Sequence, residues 1–172
     1  LALALAGPDR VVGVVANTVD RARAVFERVR DKHDAVLLTG RSRPVDREYL
    51  LGQYYHRIKA GRDEPGGPFI LVATQTIEVG ADIDLDALVT ESAPLPSLVQ
   101  RLGRLNRRGR RDGAPALVVH DTSVSDDDPL YGPARTATWN WLKQRLGADP
   151  LAYSARLAVD RLEGGLDVSP LA

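Results

Sequence analysis

The side chains best suited to chemistry in this sequence are concentrated in one stretch, SLVQRLGRLNRRGRRDG, at residues 97–113. It holds six arginines between Arg101 and Arg111, although the 172-residue chain has 23 basic and 23 acidic residues and no net charge. Guanidinium groups form planar, two-pronged contacts with phosphate and carboxylate oxygens. The clustering therefore raises the hypothesis of a surface that binds phosphate.

Helical spacing gives this hypothesis a geometry. A helix over residues 97–108 turns by about 100° per residue, which places four polar side chains in a narrow stripe and three leucines on the opposite side. Ser97 is a plausible N-cap of this helix and Gly109 a plausible end. The stripe consists of Gln100, Arg104, Arg107 and Arg111, and the leucines are Leu98, Leu102 and Leu105.

Charge and spacing alone leave two interpretations of the stripe open. A run of charges is usually a solvated surface. Like charges four residues apart on a helix, however, repel each other by about a few tenths of a kcal/mol, so several such pairs are more typical of a surface that binds a polyanion. The pattern does not distinguish a nucleotide from a nucleic acid. Arg101 lies off the stripe, and we interpret it as an internal salt-bridge partner.

The elements that must position this stretch alternate along the chain. Short apolar runs predict five strands, and the segments between them have the apolar spacing of helices. Thr18 is a plausible N-cap for the first helix, and Pro44 lies near the start of the second. Strands are predicted at 11–16, 35–40, 69–74, 86–91 and 115–121, and helices at 18–31, 43–62 and 134–147, with a weaker helix at 151–165.

Strands that are apolar throughout and separated by helices are typical of a parallel sheet covered on both faces. We therefore expect a three-layer α/β domain with a mainly parallel sheet of five to six strands and helices on both faces. Ligands of such folds lie at the carboxyl ends of the strands. The loops to inspect are residues 17–18, 39–44, 74–84, 91–97 and 120–128.

Composition excludes several classes of protein. The chain has no cysteine, which excludes disulfides and thiolate metal sites. No apolar run approaches the roughly 20 residues of a membrane span, so we expect a cytoplasmic protein without a membrane partner. Methionine is absent as well. Because a natural reading frame begins with methionine, we expect the chain to be a fragment of a longer protein.

Several motifs, taken in order, resemble those of superfamily 2 helicases. QRLGRLNRRG (100–109) is similar to their motif VI, and ILVATQTIEVGADIDLDALVTE (70–91) is similar to their motif V. VVGVVANTVDRA (11–22) resembles the motif IV strand and turn, and LLTGRSRPVDR (37–47) resembles a further element of the same family. The residue pattern of motif V is most similar to that of the helicase-nuclease of type I CRISPR systems. The resemblance covers roughly residues 10–122.

The resemblance implies a RecA-like fold and a position within a larger machine. Residues 1–128 would be the second of two RecA-like domains, and residues 129–172 a helical extension or the start of an accessory region. ATP and Mg²⁺ would be held mainly by the first RecA-like domain, since this chain has no GxxxxGK[ST] loop. The isolated chain is therefore expected to be inactive. The implied partners are the first RecA-like domain and an HD-type nuclease domain of the same protein, single-stranded DNA and a CRISPR surveillance complex.

The resemblance also implies roles for individual residues. Arg104 and Arg107 would be arginine fingers that contact the γ-phosphate, a contact worth about 10³–10⁵ in rate in comparable enzymes. Gln100 would help to hold that phosphate or the attacking water. Gly80 and Asp82 would approach the nucleotide. The residues implied to contact the phosphates of the nucleic acid are Asn17, Thr18, Ser42, Arg43 and Thr74.

Some of these assignments have competing interpretations. Asp82 and Asp84 could form a metal pair, but alternating acids after a glycine are more often turn formers, so no metal site is predicted. The polar residues at the strand ends are individually more often caps or turn residues. The function we expect is the C-terminal motor domain of an ATP-dependent CRISPR-associated DNA helicase. The alternatives are a non-catalytic nucleic-acid-binding module and the second domain of an RNA helicase.

Overall fold

The computed structural model describes most of the chain. Three of the predicted site residues, Ser42, Arg43 and Gly80, and the weaker helix predicted at 151–165 lie outside the described residues. Within the described part, no helix is both long enough and apolar enough to cross a membrane. The described residues are 1–40, 44–63, 66–79, 82–123 and 127–146.

Five strands form a single sheet in which every pairing is parallel. The strands are β1 (Val11–Val15), β2 (Asp34–Leu38), β3 (Phe69–Ala73), β4 (Ala87–Glu91) and β5 (Ala116–Val119). Their order across the sheet is β2-β3-β1-β4-β5, so β1 lies at the centre. The central strand β1 and its neighbour β3 are buried along their whole length. This burial explains why they appear in the sequence as continuous apolar runs.

Helices cover both faces of the sheet. The helices are α1 (Ala2–Leu5), α2 (Val19–Val29), α3 (Pro44–Ile58), α4 (Leu95–Leu102) and α5 (Pro133–Leu146). Apolar side chains of α1 and α2 pack in one core cluster with Val14, Ile70 and Val72. Apolar side chains of α3, α4 and α5 pack in a second cluster with Val15 and Leu71. Alternate side chains of each strand enter the two clusters, and the predicted three-layer α/β fold is confirmed.

The predicted cap of α2 is also confirmed. Thr18 has an extended backbone, and its Oγ1 accepts a hydrogen bond from the backbone N–H of Arg21 at 3.3 Å. This bond satisfies one of the N–H groups that the first turn of a helix leaves without a partner. Thr18 therefore starts α2 directly after β1, at the carboxyl edge of the sheet.

The prediction of one helix over residues 97–108 is wrong. α4 begins at Leu95, after Pro94 rather than Ser97, and it ends at Leu102 rather than Gly109. The chain leaves the helix because Leu105 is buried beside Leu85, whose backbone N–H and C=O bond to Arg104 and Asn106. We call residues 103–111 the arginine turn.

The backbone of the arginine turn confirms that it is not helical. Asn106 has φ of 46° and Gly109 has φ of 64°, in the left-handed region that glycine and asparagine tolerate best. The stripe of Gln100, Arg104, Arg107 and Arg111 therefore does not exist. The argument from repulsion between like charges on a helix falls with it.

The end of α3 is the second place where chain pairing overrides helical spacing. The sequence predicts a helix to residue 62, but α3 ends at Ile58 because the following residues pair with residues 82–84. Lys59 and Ile83 form an antiparallel bridge, and the C=O of Ile58 accepts the N–H of Asp84 at 2.9 Å.

The helix α5 follows the predicted domain boundary and packs on the sheet, because its Leu142 enters the same core as α3 and α4. The domain boundary at residue 128 stays a prediction.

Candidate nucleotide and nucleic-acid sites

The predicted site residues lie at two opposite edges of the sheet. Asn17 and Thr18 follow β1, and Thr74 follows β3, so these three lie at the carboxyl edge. The arginine turn lies at the amino edge, because Leu105 pairs with Leu85, which precedes β4. The residues implied for nucleic acid and those implied for nucleotide are thus in two separate places.

Arg107 is the most accessible of the predicted nucleotide contacts in the arginine turn. Its Nη1 lies 2.9 Å from Oδ1 of Asp82, and the two side chains are 42% and 57% exposed. An exposed pair of this kind contributes only about 0.2–1 kcal/mol and is screened by salt. The backbone N–H of Arg107 donates to Oδ1 of the buried Asp84 at 2.8 Å. The backbone is therefore fixed, while the guanidinium has a partner that solvent or a ligand can replace.

Arg104 makes a different set of contacts. Its Nε and Nη2 donate, at 2.9 Å each, to the backbone C=O groups of Ile77 and Glu78, which follow β3. Burial, followed by the nearby positive charge of Arg107, lowers the pKa of Arg104, and Asp82 opposes the shift. Arg104 thus connects the arginine turn to the segment after β3. These two bonds use two of the five N–H donors of a guanidinium and fix the orientation of the group.

Gln100 lies on α4 and is exposed. It is separated from the arginine turn by the last residues of the helix, so helical spacing does not align it with Arg104 and Arg107. Its implied role at the γ-phosphate stays a prediction, as does the role of Gly80, which is outside the described residues. Asp82, by contrast, is directly beside Arg107.

Arg101 is the central residue of a buried polar network and confirms the interpretation as an internal salt-bridge partner. Its side chain is fully buried, and its Nε pairs with Oε1 of Glu78 at 2.9 Å. The other guanidinium nitrogens donate to four oxygens at 2.9–3.2 Å, namely Thr90 Oγ1, the Glu91 C=O, Asn17 Oδ1 and Tyr131 Oη. Arg101 therefore joins the end of β1, the end of β4, the segment after β3 and the chain before α5.

Asn17 is part of this network rather than an exposed donor. Only 5% of Asn17 is exposed. Its Nδ2 donates to the C=O of Ser92 at 2.8 Å, and its Oδ1 accepts from Arg101. Its backbone N–H donates to the carboxylate of Glu91 at 2.6 Å. These bonds hold the chain between β1 and α2 in place, so Asn17 positions the edge on which a nucleic acid is predicted to lie.

Of the remaining carboxyl-edge residues, Thr18 borders an open cleft and Thr74 is buried. Thr18 is exposed, whereas Thr74 is 4% exposed and its N–H donates to the C=O of Leu38 at 3.2 Å. A cleft of about 360 Å³ lies beside Thr18. It is lined by the chain between β1 and α2, by residues 127–130 and by the buried Arg135. Residues that follow β5, beyond the quoted motifs, therefore form one wall of this cleft.

Acidic side chains explain much of the arginine clustering at the amino edge. Asp86 is 3% exposed, and its oxygens accept hydrogen bonds from Arg62 at 2.6 Å and from Arg111 at 2.7 Å. Burial raises the pKa of Asp86, but the hydrogen bonds from Arg111 and from the N–H of Val11, together with the charge of Arg62, lower it by more. The net effect keeps the carboxylate ionised. These arginines stabilise the fold and are not free for phosphate.

Sequence reasoning missed some of these partners. Arg62 lies 24 positions from Asp86 in a segment predicted to be helical, and Tyr131 lies 30 positions from Arg101. No local pattern connects residues so far apart. The only usable signal was the alternation of acidic residues at Asp82, Asp84 and Asp86, of which the first two predict a turn and the third the start of a strand. The described residues contain no group of three or more His, Asp or Glu side chains that could hold a metal ion.

Comparison with known proteins identifies the family of this chain. Residues 8–110 match the family model described as CRISPR-associated nuclease/helicase Cas3, C-terminal. A putative CRISPR-associated nuclease/helicase Cas3 of Myxococcus xanthus is 38% identical over 141 residues, which is 80% of this chain and 18% of that protein. The chain spans less than a quarter of the length of the curated relatives with which it was compared.

Solved structures share the fold. The crystal structure of T. fusca Cas3 superposes with a TM-score of 0.67 at 23% identity and covers 92% of this chain and 20% of that one. The C-terminal domain of the DEAD-box protein Dbp5 has a TM-score of 0.55 at 18% identity, over 86% of this chain and 75% of that one. With the match over residues 8–110, which is more than half of the sequence, this chain belongs to the family of the C-terminal helicase region of the CRISPR-associated nuclease/helicase Cas3.

Proposed function

We propose that this chain is the C-terminal motor domain of an ATP-dependent CRISPR-associated DNA helicase. In the complete protein, a first RecA-like domain makes most of the contacts with ATP and Mg²⁺. This C-terminal domain supplies Arg107 to the γ-phosphate. Charge stabilisation of this kind is the main catalytic contribution a protein makes to phosphoryl transfer. T. fusca Cas3, which shares the fold, has been solved with ATP. Without the first domain, the chain is inactive.

The observation that supports this proposal best is the state of Arg107. Its backbone is bonded to a buried carboxylate, while its side chain is 42% exposed beside the still more exposed Asp82. An arginine finger needs both properties, since the group has to be pre-positioned and yet able to contact a ligand that arrives from another domain. Arg104 is a second candidate, although its guanidinium is occupied by two backbone carbonyls.

The test is ATP turnover by the full-length protein in the presence of single-stranded DNA. Arg107→Ala should lower kcat by about 10³-fold, the lower limit of the effect of such fingers. The matched control is Arg108→Ala, which removes the same group from the neighbouring exposed position beside Gly61. This control should leave kcat within a few-fold of the starting value. Unchanged turnover in Arg107→Ala contradicts the finger assignment.

Contact with the single-stranded DNA backbone is assigned to the carboxyl edge. Asn17 and Arg101 hold this edge in place. The cleft beside Thr18 is lined by hydroxyl and guanidinium groups, and also by the carboxylates of Asp127 and Asp128. Contacts with phosphates carry no sequence information and weaken steeply with salt. The logarithm of the affinity for single-stranded DNA should therefore fall linearly with the logarithm of the salt concentration. Equal affinity at low and high salt contradicts this part of the proposal.

The same fold leaves an RNA helicase as a second candidate. Dbp5, a DEAD-box protein, shares the fold at a TM-score of 0.55. The two candidates differ in the strand that stimulates ATP turnover, so matched single-stranded DNA and RNA oligonucleotides separate them. A non-catalytic nucleic-acid-binding module would bind an oligonucleotide, but neither DNA nor RNA would stimulate ATP turnover.

The partners proposed for the complete protein follow from the relatives. Their names describe a nuclease as well as a helicase, in agreement with an HD-type nuclease domain in the same protein. A structure titled CRISPR RNA-guided surveillance complex, pre-nicking, contains a chain with this fold at a TM-score of 0.60. We therefore assign recruitment by such a complex, and a role in antiviral defence, to the complete protein.

A further inference from the structure

Asp84 is a buried carboxylate that contacts the arginine turn at two points. Only 1% of the residue is exposed. Its Oδ1 accepts the backbone N–H of Arg107 at 2.8 Å, and its Oδ2 lies 3.5 Å from Nε of Arg110. Hydrogen bonds to an ionised acceptor are about twice as strong as those between neutral groups. One side chain thus ties down the backbone of the proposed finger and faces a second cation of the same turn.

The carboxylate itself is rigidly placed. The N–H of Asp84 donates to the C=O of Ile58, the last residue of α3, at 2.9 Å. The C=O of Asp84 accepts a hydrogen bond from the guanidinium of the buried Arg62. Asp84 is therefore fixed to the end of α3 through its own backbone, and it transmits that fixed position to the arginine turn.

The arginine turn depends on such an external contact. α4 ends at Leu102, five residues before Arg107, so the finger is not held by the hydrogen-bond ladder of a helix. Asn106, directly before Arg107, has a left-handed backbone conformation that costs free energy for any residue other than glycine. A buried acceptor at Arg107 stabilises the one turn geometry that points this side chain toward Asp82.

We infer that Asp84 is a positioning residue for ATP hydrolysis, which acts by holding the backbone of Arg107 and does not touch the nucleotide. This inference rests on the proposed function of Arg107 as the arginine finger. A displacement of about 1 Å in a catalytic group can cost about 10²-fold in rate. Loss of Asp84 should therefore lower kcat and leave KM for ATP unchanged, because the contacts that bind ATP are elsewhere.

The experiment is a double-mutant cycle in the full-length protein. Asp84→Ala and Asp84→Asn are each combined with Arg107→Ala, and kcat and KM for ATP are measured with single-stranded DNA present. Asp84→Ala should lower kcat by about 10²-fold and Asp84→Asn by about 10-fold, because the amide oxygen still accepts the bond but has no charge. In the Arg107→Ala background neither change should lower kcat further, since the group that Asp84 positions is already absent.

The cycle separates positioning from a merely structural role. Asp84→Asn preserves the size of the side chain, so it tests the inference if Asp84→Ala does not fold. Unchanged kcat in Asp84→Asn overturns the inference, and so does an equal fold-loss in the two Arg107 backgrounds or a rise in KM without a fall in kcat. If Arg107→Ala alone retains full turnover, the proposed function fails first. If Arg107→Ala lowers kcat by about 10³-fold but the Asp84 effect is equally large in that background, only the inference about Asp84 fails.

Discussion

Arg101 and Arg107 lie six positions apart in the same arginine-rich stretch and have opposite environments. Arg101 is fully buried and bonded through all of its guanidinium nitrogens to five oxygens. Arg107 is 42% exposed, and its guanidinium pairs with one exposed carboxylate. The first arginine has its charge satisfied by the fold. The second can exchange its partner for a ligand, which is the property the proposed function requires.

The difference arises from position relative to the end of α4. Arg101 is in the last turn of the helix, with its side chain directed into the network that joins the strand ends. Arg107 follows the buried Leu105, after the chain has left the helix. An arginine motif therefore does not have one physical role. Its first member stabilises the domain and a later member remains available at the surface.

The difference between Arg101 and Arg107 is tested most directly by replacing each with alanine and measuring the free energy of unfolding. Arg101→Ala leaves Glu78 without its buried partner and should lower the free energy of unfolding by about 3–5 kcal/mol. Arg107→Ala removes an exposed pair and should lower it by less than about 1 kcal/mol. Urea denaturation of the two variants measures both values. Equal losses would show that the two environments are energetically the same.

Leu105 tests whether a core contact holds the arginine turn. It is 3% exposed and pairs with Leu85. Leu105→Ala should destabilise the chain by about 2–4 kcal/mol, because a truncated core leucine leaves a cavity. Leu105→Met, which fills a similar volume, should cost less than about 1.5 kcal/mol. Thermal unfolding compares the two variants, and a loss no larger in the alanine variant would contradict the anchoring role.

A similar contrast between an exposed and a buried residue occurs at the carboxyl edge, where Thr18 is exposed next to the buried Asn17. Thr18→Ala removes the hydroxyl that caps α2 and should lower the free energy of unfolding by about 1 kcal/mol. Thr18→Ser keeps a capping hydroxyl and should retain most of the stability. Urea denaturation checks both variants. If the serine variant loses as much as the alanine variant, the cap is not the cause.

The smallest expected effect is a dependence of stability on acidic pH. The hydroxyl and the N–H of Ser123, and then Arg21, lower the pKa of Asp121 to about 2. A lowered pKa means that the fold favours the ionised carboxylate, so this contribution is present above the unfolded pKa of about 3.9 and is lost as the pH falls through about 2. The difference in stability between the natural chain and Asp121→Asn should therefore shrink between pH 4 and pH 2. A constant difference in stability across this range would show that ionisation of Asp121 does not cause it.

Much of the fold could be predicted from the sequence because its signals are local. Continuous apolar runs identified all five strands, and the spacing of apolar residues identified α2 and α5 close to their observed bounds. Thr18 was recognisable as a cap from its type and position. The place of Arg101 off the predicted polar stripe was enough to indicate an internal salt bridge.

The site was less predictable because its geometry depends on contacts between distant segments. Helical spacing continued without interruption through residues 97–108, and nothing local indicated that Leu105 would leave the helix to pair with Leu85. In the same way, Asp84 and Asp86 gave no sign that Arg107 and Arg62 were their partners. A polar stripe on one helix was therefore the wrong geometry for these side chains, and their functional roles stay predictions.

The sequence by itself determined the order of strands and helices, the parallel three-layer architecture and the family, since each follows from residue patterns within short segments. Beyond the internal position of Arg101, only the tertiary structure decided which arginines are buried, where α4 ends and which carboxylate faces each guanidinium. The physical reason is that burial and ion pairing depend on which distant segments meet. In this protein the meeting of residues 82–86 with residues 104–111 decides it.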